Sequence, residues 1–439
     1  MAAHALFFSQ NKGFISMLHA RVWLMALVLL SASAGNALAE GFALYEYGAR
    51  GVALGGAVMA RKPDPSAVAY NPALITQLPG VNLMAGVTAV VPSGKMDWQD
   101  RDGSRGTTEL RDSVWGIPHF YYTHQLSDSL FFGIGEFTRY GLGFEYPHDW
   151  PGRFNIYQVS LVSGSLNPNL AWKATDKLSI ALGVELIYVS LDIKKRVMVN
   201  GNSALEVDSN ITNADAWGVG GNIALHYQFN DQWALGLQYR SQARVHAYGD
   251  VEFTDVTMEK TLGPVGKGLF EQNFHDGTAH SVVVLPDSMS GGLSYTPIPE
   301  LSIEVGAIWT RWSTFRDLDI HLPDGMPVSR NPKRWKDVWR LNAGVEYQAL
   351  DWLTLRAGYV FDQSPMPEKY EDYLVPTGNR NIYSFGVGFH GEAWNLDLAY
   401  AFIKPQDRGY KADDGRGTIR SRTRDTNTQL FSVSLSYAF

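Results

Sequence analysis

The end of the chain shows the governing pattern most plainly. In QLFSVSLSYAF, Phe431, Val433, Leu435, Tyr437 and Phe439 alternate with Ser432, Ser434, Ser436 and Ala438. A period of two puts one apolar and one small or polar face on an extended strand. The same period runs through 178–191 (Ile180, Leu182, Val184, Leu186), 233–240 (Trp233, Leu235, Leu237, Tyr239) and 353–361 (Leu353, Leu355, Ala357, Tyr359, Phe361). Gly, Gln, Thr, Arg and Glu occupy the other faces.

The connections alternate in length. Short turns fall at 125–129, 173–177, 228–232, 296–300, 349–352 and 390–394. Long polar loops lie near 93–112, 144–156, 196–212, 252–280, 321–336, 362–380 and 404–428. Six short turns and seven long loops predict fourteen antiparallel strands. That is an even number, as in bacterial outer-membrane barrels, where the apolar face meets lipid and the polar face lines the lumen. The fold class is therefore all-β and transmembrane. Trp, Tyr and Phe near strand ends form the interfacial girdles of such a barrel.

Composition supports this. The chain has 439 residues, 55 of them aromatic (21 Phe, 21 Tyr, 13 Trp), 43 glycines, no cysteine and only 18% charged residues. The net charge of −7 argues against a nucleic-acid partner. The lack of cysteine removes disulfide frameworks and thiolate metal sites. Residues 17–39 read as a secretory signal: Arg21, an apolar run Val22–Leu30, and Ala37-Leu38-Ala39 as the cleavage site. The run is far short of the about 20 residues a spanning helix needs. Met17 is the expected true start, and Glu40 the first mature residue.

Residues 40–80 do not alternate. Asp64-Pro65 and Asn71-Pro72 each place a capping residue before a proline. They predict two short helices, 65–70 and 72–77. Helices this short need a packing partner, and the barrel lumen is the enclosure available. The segment reads as a plug, with Asn71, Pro72 and Ala73 at its centre and the barrel wall over 81–439.

The chain resembles the FadL family of outer-membrane transporters for long-chain fatty acids and other hydrophobic compounds. The resemblance rests on EGFALYEYG at 40–48, NPAL at 71–74, YGLGFEY at 140–146, LPDSMSGGLSY at 285–295, WTRWSTF at 309–315, KDVWRLNAGVEY at 336–347 and LRAGYVFDQSPMP at 355–367. These cover nearly the whole mature chain in the family's order. VPTGNR at 375–380 departs from the pattern, where an Asp is expected after the proline. The resemblance implies a fourteen-stranded barrel closed by an N-terminal hatch. Substrate binds among the outer loops, passes to an inner site, and leaves sideways through a gap at an inward kink in the third strand. Gly141 and Gly143 are the expected kink residues, glycine weakening strand pairing. Lys195, flanked by Lys194 and Arg196, and Lys336 match the family's basic positions and are the expected carboxylate contacts; for each, a rim cation serving solvent or lipopolysaccharide is the competing reading. Arg240, Arg340 and Arg356, with Glu185, Glu304 and Glu346, read as a structural charge network in the lumen.

The expected function is uptake of long-chain fatty acids, with aromatic or alkane hydrocarbons as the alternative cargo. No Gly-x-Ser-x-Gly motif occurs and no enzyme is expected. No cofactor or metal is expected. The expected surroundings are outer-membrane lipid, lipopolysaccharide and the barrel assembly machinery, with the protein as a monomer.

Overall fold

The computed structural model describes residues 41–439 apart from Asp324 and Thr377. The signal read over 17–39 and the start at Glu40 lie outside the described residues. Nineteen strand segments resolve into a closed barrel of fourteen antiparallel strands. Three strands are each broken in two, and two short segments (Arg105–Glu109 and Gly409–Tyr410) belong to outer loops.

In chain order the strands are β1 (Val81–Gln99), β2 (Trp115–Gln125), β3 (Leu130–Phe137 with Leu142–Glu145), β4 (Gln158–Lys173), β5 (Leu178–Val199), β6 (Asn202–Gln228), β7 (Trp233–Arg240 with Ala243–Asp255), β8 (Gly277–Leu285 with Ser288–Ile298), β9 (Leu301–Thr310), β10 (Val338–Leu350), β11 (Leu353–Asp362), β12 (Arg380–His390), β13 (Trp394–Pro405) and β14 (Arg420–Ala438). The last strand pairs with the first from Asn82↔Ala438 to Gln99↔Arg420, with one register shift between Ser93 and Lys95. This pairing closes the sheet on itself, as a barrel in lipid requires.

All six expected short turns are present. The long-loop end differs from expectation. Residues 196–212 are mostly a hairpin, because β5 and β6 run far past the wall and pair as far as Val199↔Asn202. Ile193, Val197, Val207 and Ile211 lie on this extension, and Val207 and Ile211 pack against Val251, Phe253 and Met258. That small core holds a hairpin where polar composition suggested a loop. It is roofed by α3 (Met258–Leu262) and α4 (Pro264–Asn273), numbered after the two helices of the N-terminal segment, α1 (Ala49–Ala53) and α2 (Ala67–Tyr70).

The outward face carries the apolar residues of the alternation. Leu182, Val184, Trp217, Phe385 and Leu435 are all exposed, as lipid contact requires. Exposed Trp172, Trp352, Trp394 and Phe439 mark the short-turn end, and Trp217 and Trp339 the other.

The lumen is filled by residues 41–80. After α1 and α2, a 3₁₀ helix spans Pro72–Gln77. Asn71 caps it, its side-chain oxygen accepting the Ala73 N–H at 3.2 Å. The second helix starts at Ala67, two residues later than expected, because Asp64 Oδ1 accepts the Ser66 N–H at 2.8 Å and its carbonyl accepts that of Ala67 at 3.0 Å. The first, Ala49–Ala53, had no cap or period to announce it.

Wall glycines make room for this segment. A Cβ on Gly236 of β7 would lie 1.8 Å from the Met59 carbonyl oxygen, and one on Gly358 of β11 would lie 2.4 Å from the Leu54 carbonyl carbon. Only a residue without a side chain lets two backbones approach so closely.

Candidate functional site: a cavity chain ending at a gap in the wall

Strand β3 leaves its neighbour halfway up. It pairs with β2 only from Gln125↔Phe131 to Phe120↔Glu136. On its other side it follows β4 further, to Phe137↔Ser165, and then from Leu142↔Leu161 to Glu145↔Gln158. Between these stretches, residues 138–141 face only 162–164, so β3 carries one residue more than β4. An extra residue on one strand bends it locally. Residues 115–119 of β2 are thus left without a β3 partner among the described residues.

The released backbone of β3 pairs with the N-terminal segment instead. Leu44 N–H donates to the Arg139 carbonyl at 2.8 Å, and Gly141 N–H to that of Phe42 at 3.0 Å. Ala43 and Tyr140 face each other in this short antiparallel bridge. Gly141 and Gly143 sit inside the bend as close-approach residues. A Cβ on Gly141 would meet Leu44 Cδ1 at 2.7 Å, and one on Gly143 would meet the Trp115 ring at 2.4 Å.

A cavity of about 440 Å³ occupies this gap, within the usual range of small-molecule sites. It is lined from the lumen by Arg340, Ile382 and Leu430, and from the outward face by Val162 and Tyr188. It therefore passes through the wall. A smaller cavity of about 50 Å³ shares Phe42, Leu142 and Leu161 with it, and its other lining side chains, Val189, Val245 and Leu285 among them, are apolar too. A third of about 40 Å³ shares Leu318 and Leu374 with the second and ends beside Lys195. The three form a file from the long-loop end to the wall.

Lys195 is half-buried, and its Nζ lies 3.3 Å from Ser329 Oγ. Burial, and secondly nearby Lys333, hold its ammonium below the usual lysine range. Lys333 itself is buried and paired with Asp372. Arg196 points elsewhere, 3.6 Å from Asp208. Lys336 is exposed on the loop before β10 and lines none of the three cavities. The structure thus brings Lys195, Gly141 and Gly143 onto one file, and leaves Arg196 and Lys336 beside it.

The charge network fastens the plug to the wall. Arg50 of α1 grips Glu346 of β10 through Nε (2.8 Å) and Nη2 (2.7 Å), and Arg356 shares that carboxylate at 2.6 Å. Glu304 of β9 accepts the successive N–H groups of Met59, Ala60 and Arg61 at 2.6, 3.1 and 3.0 Å. Arg240 of β7 donates to the Ala69 carbonyl at 2.6 Å and to Glu185 of β5 at 3.2 Å. The same Glu185 oxygen takes Arg139, at the kink, at 2.9 Å. One buried carboxylate therefore joins the plug's second helix to the bent strand. Arg139 was missed in the sequence. Its one signal is an arginine between the glycines of GIGEFTRYGLGF.

A plugged fourteen-stranded barrel with apolar cavities leading through its wall is an outer-membrane channel for hydrophobic molecules. The profile of the outer membrane protein transport protein family (OMPP1/FadL/TodX) matches residues 30–439, and the chain belongs to that family of transport channels. It is 24% identical to outer membrane protein P1 of Haemophilus influenzae, over 95% of this chain and 98% of that protein. It is also 24% identical to the long-chain fatty acid transport protein of Escherichia coli K12, over 94% and 97%. Among solved structures, a Pseudomonas aeruginosa FadL homologue superposes with a TM-score of 0.82 at 21% identity, covering 91% of this chain and all of that one. The Pseudomonas putida toluene transporter TodX superposes at 0.68 and 19% identity, over 90% and 98%. The protein is an outer-membrane, multi-pass β-barrel.

Proposed function

We propose that the protein takes up long-chain fatty acids, passing them from the long-loop end along the cavity file and out sideways between β2 and β3. The observation that carries this reading is Lys195 at the head of a file whose middle cavity is lined by apolar side chains alone. An elongated molecule with one anionic end matches that arrangement: its carboxylate meets the ammonium and Ser329, and its chain lies along Val189, Leu191 and Leu285. A charge-assisted bond shielded from water is stronger than one at the surface. Lys336, exposed, and Arg196, turned off the file toward Asp208, act in capture at the rim rather than in the inner site. A lateral exit releases the chain into the hydrocarbon core, worth about 0.8 kcal/mol per CH₂ removed from water.

A second reading, transport of neutral aromatic or alkane hydrocarbons, has one observation in its favour. The cavity beside Lys195 holds only about 40 Å³, whereas the one at the wall holds about 440 Å³. Titration of the purified barrel with oleate and with toluene separates the two. Oleate binding that weakens in Lys195→Ala while toluene binding does not supports the fatty-acid reading. Toluene binding without oleate binding overturns it.

A further inference from the structure

Glu136 stands where a barrel strand usually carries an apolar residue. In the first piece of β3, Phe131, Gly133, Gly135 and Phe137 point inward and Leu130, Phe132, Ile134 and Glu136 outward. A strand needs about 9–11 residues to cross a bilayer. Glu136 is six residues above the short turn that precedes β3, near mid-depth. Its cross-strand neighbours, Phe120 of β2 and Leu166 of β4, are exposed apolar side chains. Glu136 has no hydrogen bond or ion pair among the described residues. It lines the cavity that pierces the wall, at the last point where β2 and β3 still pair. The fold gains nothing from a carboxyl there, and an ionisable group at such depth is costly unless it serves transport.

The other charged groups lining this cavity are Glu46 of the N-terminal segment, Arg340 of β10 and Arg380 of β12. Both arginines reach Asp362, at 3.5 and 2.6 Å. Tyr140 of β3 and Tyr188 of β5 are its titratable phenols, and Tyr121 of β2 lies on the inward face nearby. None of these gives Glu136 a counter-charge in hydrogen-bond reach.

We propose that Glu136 couples lateral release to a proton, so that a carboxylate cargo leaves this gap only as its neutral acid. The inference rests on the fatty-acid reading above. Two carboxyl groups brought together in a low-dielectric neck do not both remain ionised, and the pair retains at least one proton. One proton from water joins one cargo carboxylate, RCOO⁻ + H⁺ → RCOOH. The acid departs into lipid, and Glu136 is left as it began.

The test compares wild type, Glu136→Gln and Glu136→Leu (the residue type of its neighbour) in proteoliposomes, at matched abundance of heat-modifiable barrel. Uptake of labelled oleate and of dodecanol is followed from about pH 6 to 8.5. Wild-type oleate uptake falls as pH rises, by at most about tenfold per unit for one coupled proton. Both variants show a shallower fall, at least about threefold apart from wild type at the alkaline end. Dodecanol uptake is flat with pH in all three. Superimposable oleate profiles overturn the proposal, as does a dodecanol profile that falls with the oleate one. Oleate binding in detergent is measured alongside. Wild type that binds oleate but shows no variant effect sinks this inference alone, whereas wild type that binds none sinks the fatty-acid reading and the inference with it.

Discussion

The side-chain amide of Asn71 donates to the Leu225 carbonyl of β6 at 3.1 Å while also donating to the Met59 carbonyl at 2.7 Å. Its oxygen meanwhile caps the 3₁₀ helix. One fully buried asparagine thus ties the plug to itself, to the wall, and to its own helix start.

Asn71→Ala should therefore cost more than a lost cap. The cap is worth about 0.5–2 kcal/mol, and the Met59 carbonyl, left without the amide, adds about 1–3 kcal/mol. The wall does not depend on this residue, since its closed ladder of strand pairs is unchanged. We expect barrel abundance and heat-modifiable mobility to match wild type, with faster hydrogen exchange over 65–77 and altered uptake. Unchanged exchange over that stretch would show that the amide does not hold the plug.

Glu304→Ala should loosen the plug further. It strips the acceptor from three consecutive backbone N–H groups and leaves Arg61, 3.6 Å away and buried, without its partner. Breaking a buried pair from one side typically costs about 3–5 kcal/mol. Expected is an intact barrel with increased susceptibility to a large antibiotic, and Glu304→Gln intermediate. Wild-type permeability in both variants would contradict the assignment.

Much of this was legible in the sequence because each barrel residue obeys a local rule. Alternation set the faces of Leu182 and Leu435, turn composition set all six short connections, and Asn71-Pro72 marked its helix. What was not legible depends on partners far along the chain. Ala49–Ala53 is helical only because the wall packs around it. Glu185 was expected to belong to a lumen network, but its bond to Arg139, 46 residues away, required the bend in β3. The hairpin over 196–212 stands on Val251, Phe253 and Met258, which no local pattern connects to it. Lys195 and Lys336 look equivalent as basic residues at strand ends, and only the cavity file distinguishes them.

That difference gives a third prediction. Lys195→Ala should weaken oleate binding by about 1–3 kcal/mol, the worth of a hydrogen bond to a charged group. Lys336→Ala should cost about 0–1 kcal/mol, as exposed charges do, and its effect should fade with added salt. Calorimetric titration at two ionic strengths checks both. Equal losses in the two variants would place the carboxylate at the rim instead.

The central claim is that cargo leaves through the wall where the plug meets the bend in β3. Ala43 and Tyr140 face each other there in an antiparallel bridge, between the bonds Leu44–Arg139 and Phe42–Gly141. Directly opposed residues in such a position have Cα atoms about 4.5 Å apart, within disulfide range. The natural chain has no cysteine, so Ala43→Cys/Tyr140→Cys yields a single cross-link. The decisive measurement is labelled-oleate uptake by this variant before and after reduction. The account predicts that the oxidised protein binds oleate but does not transport it, and that reductant restores uptake. Equal uptake in the oxidised and reduced forms would contradict it.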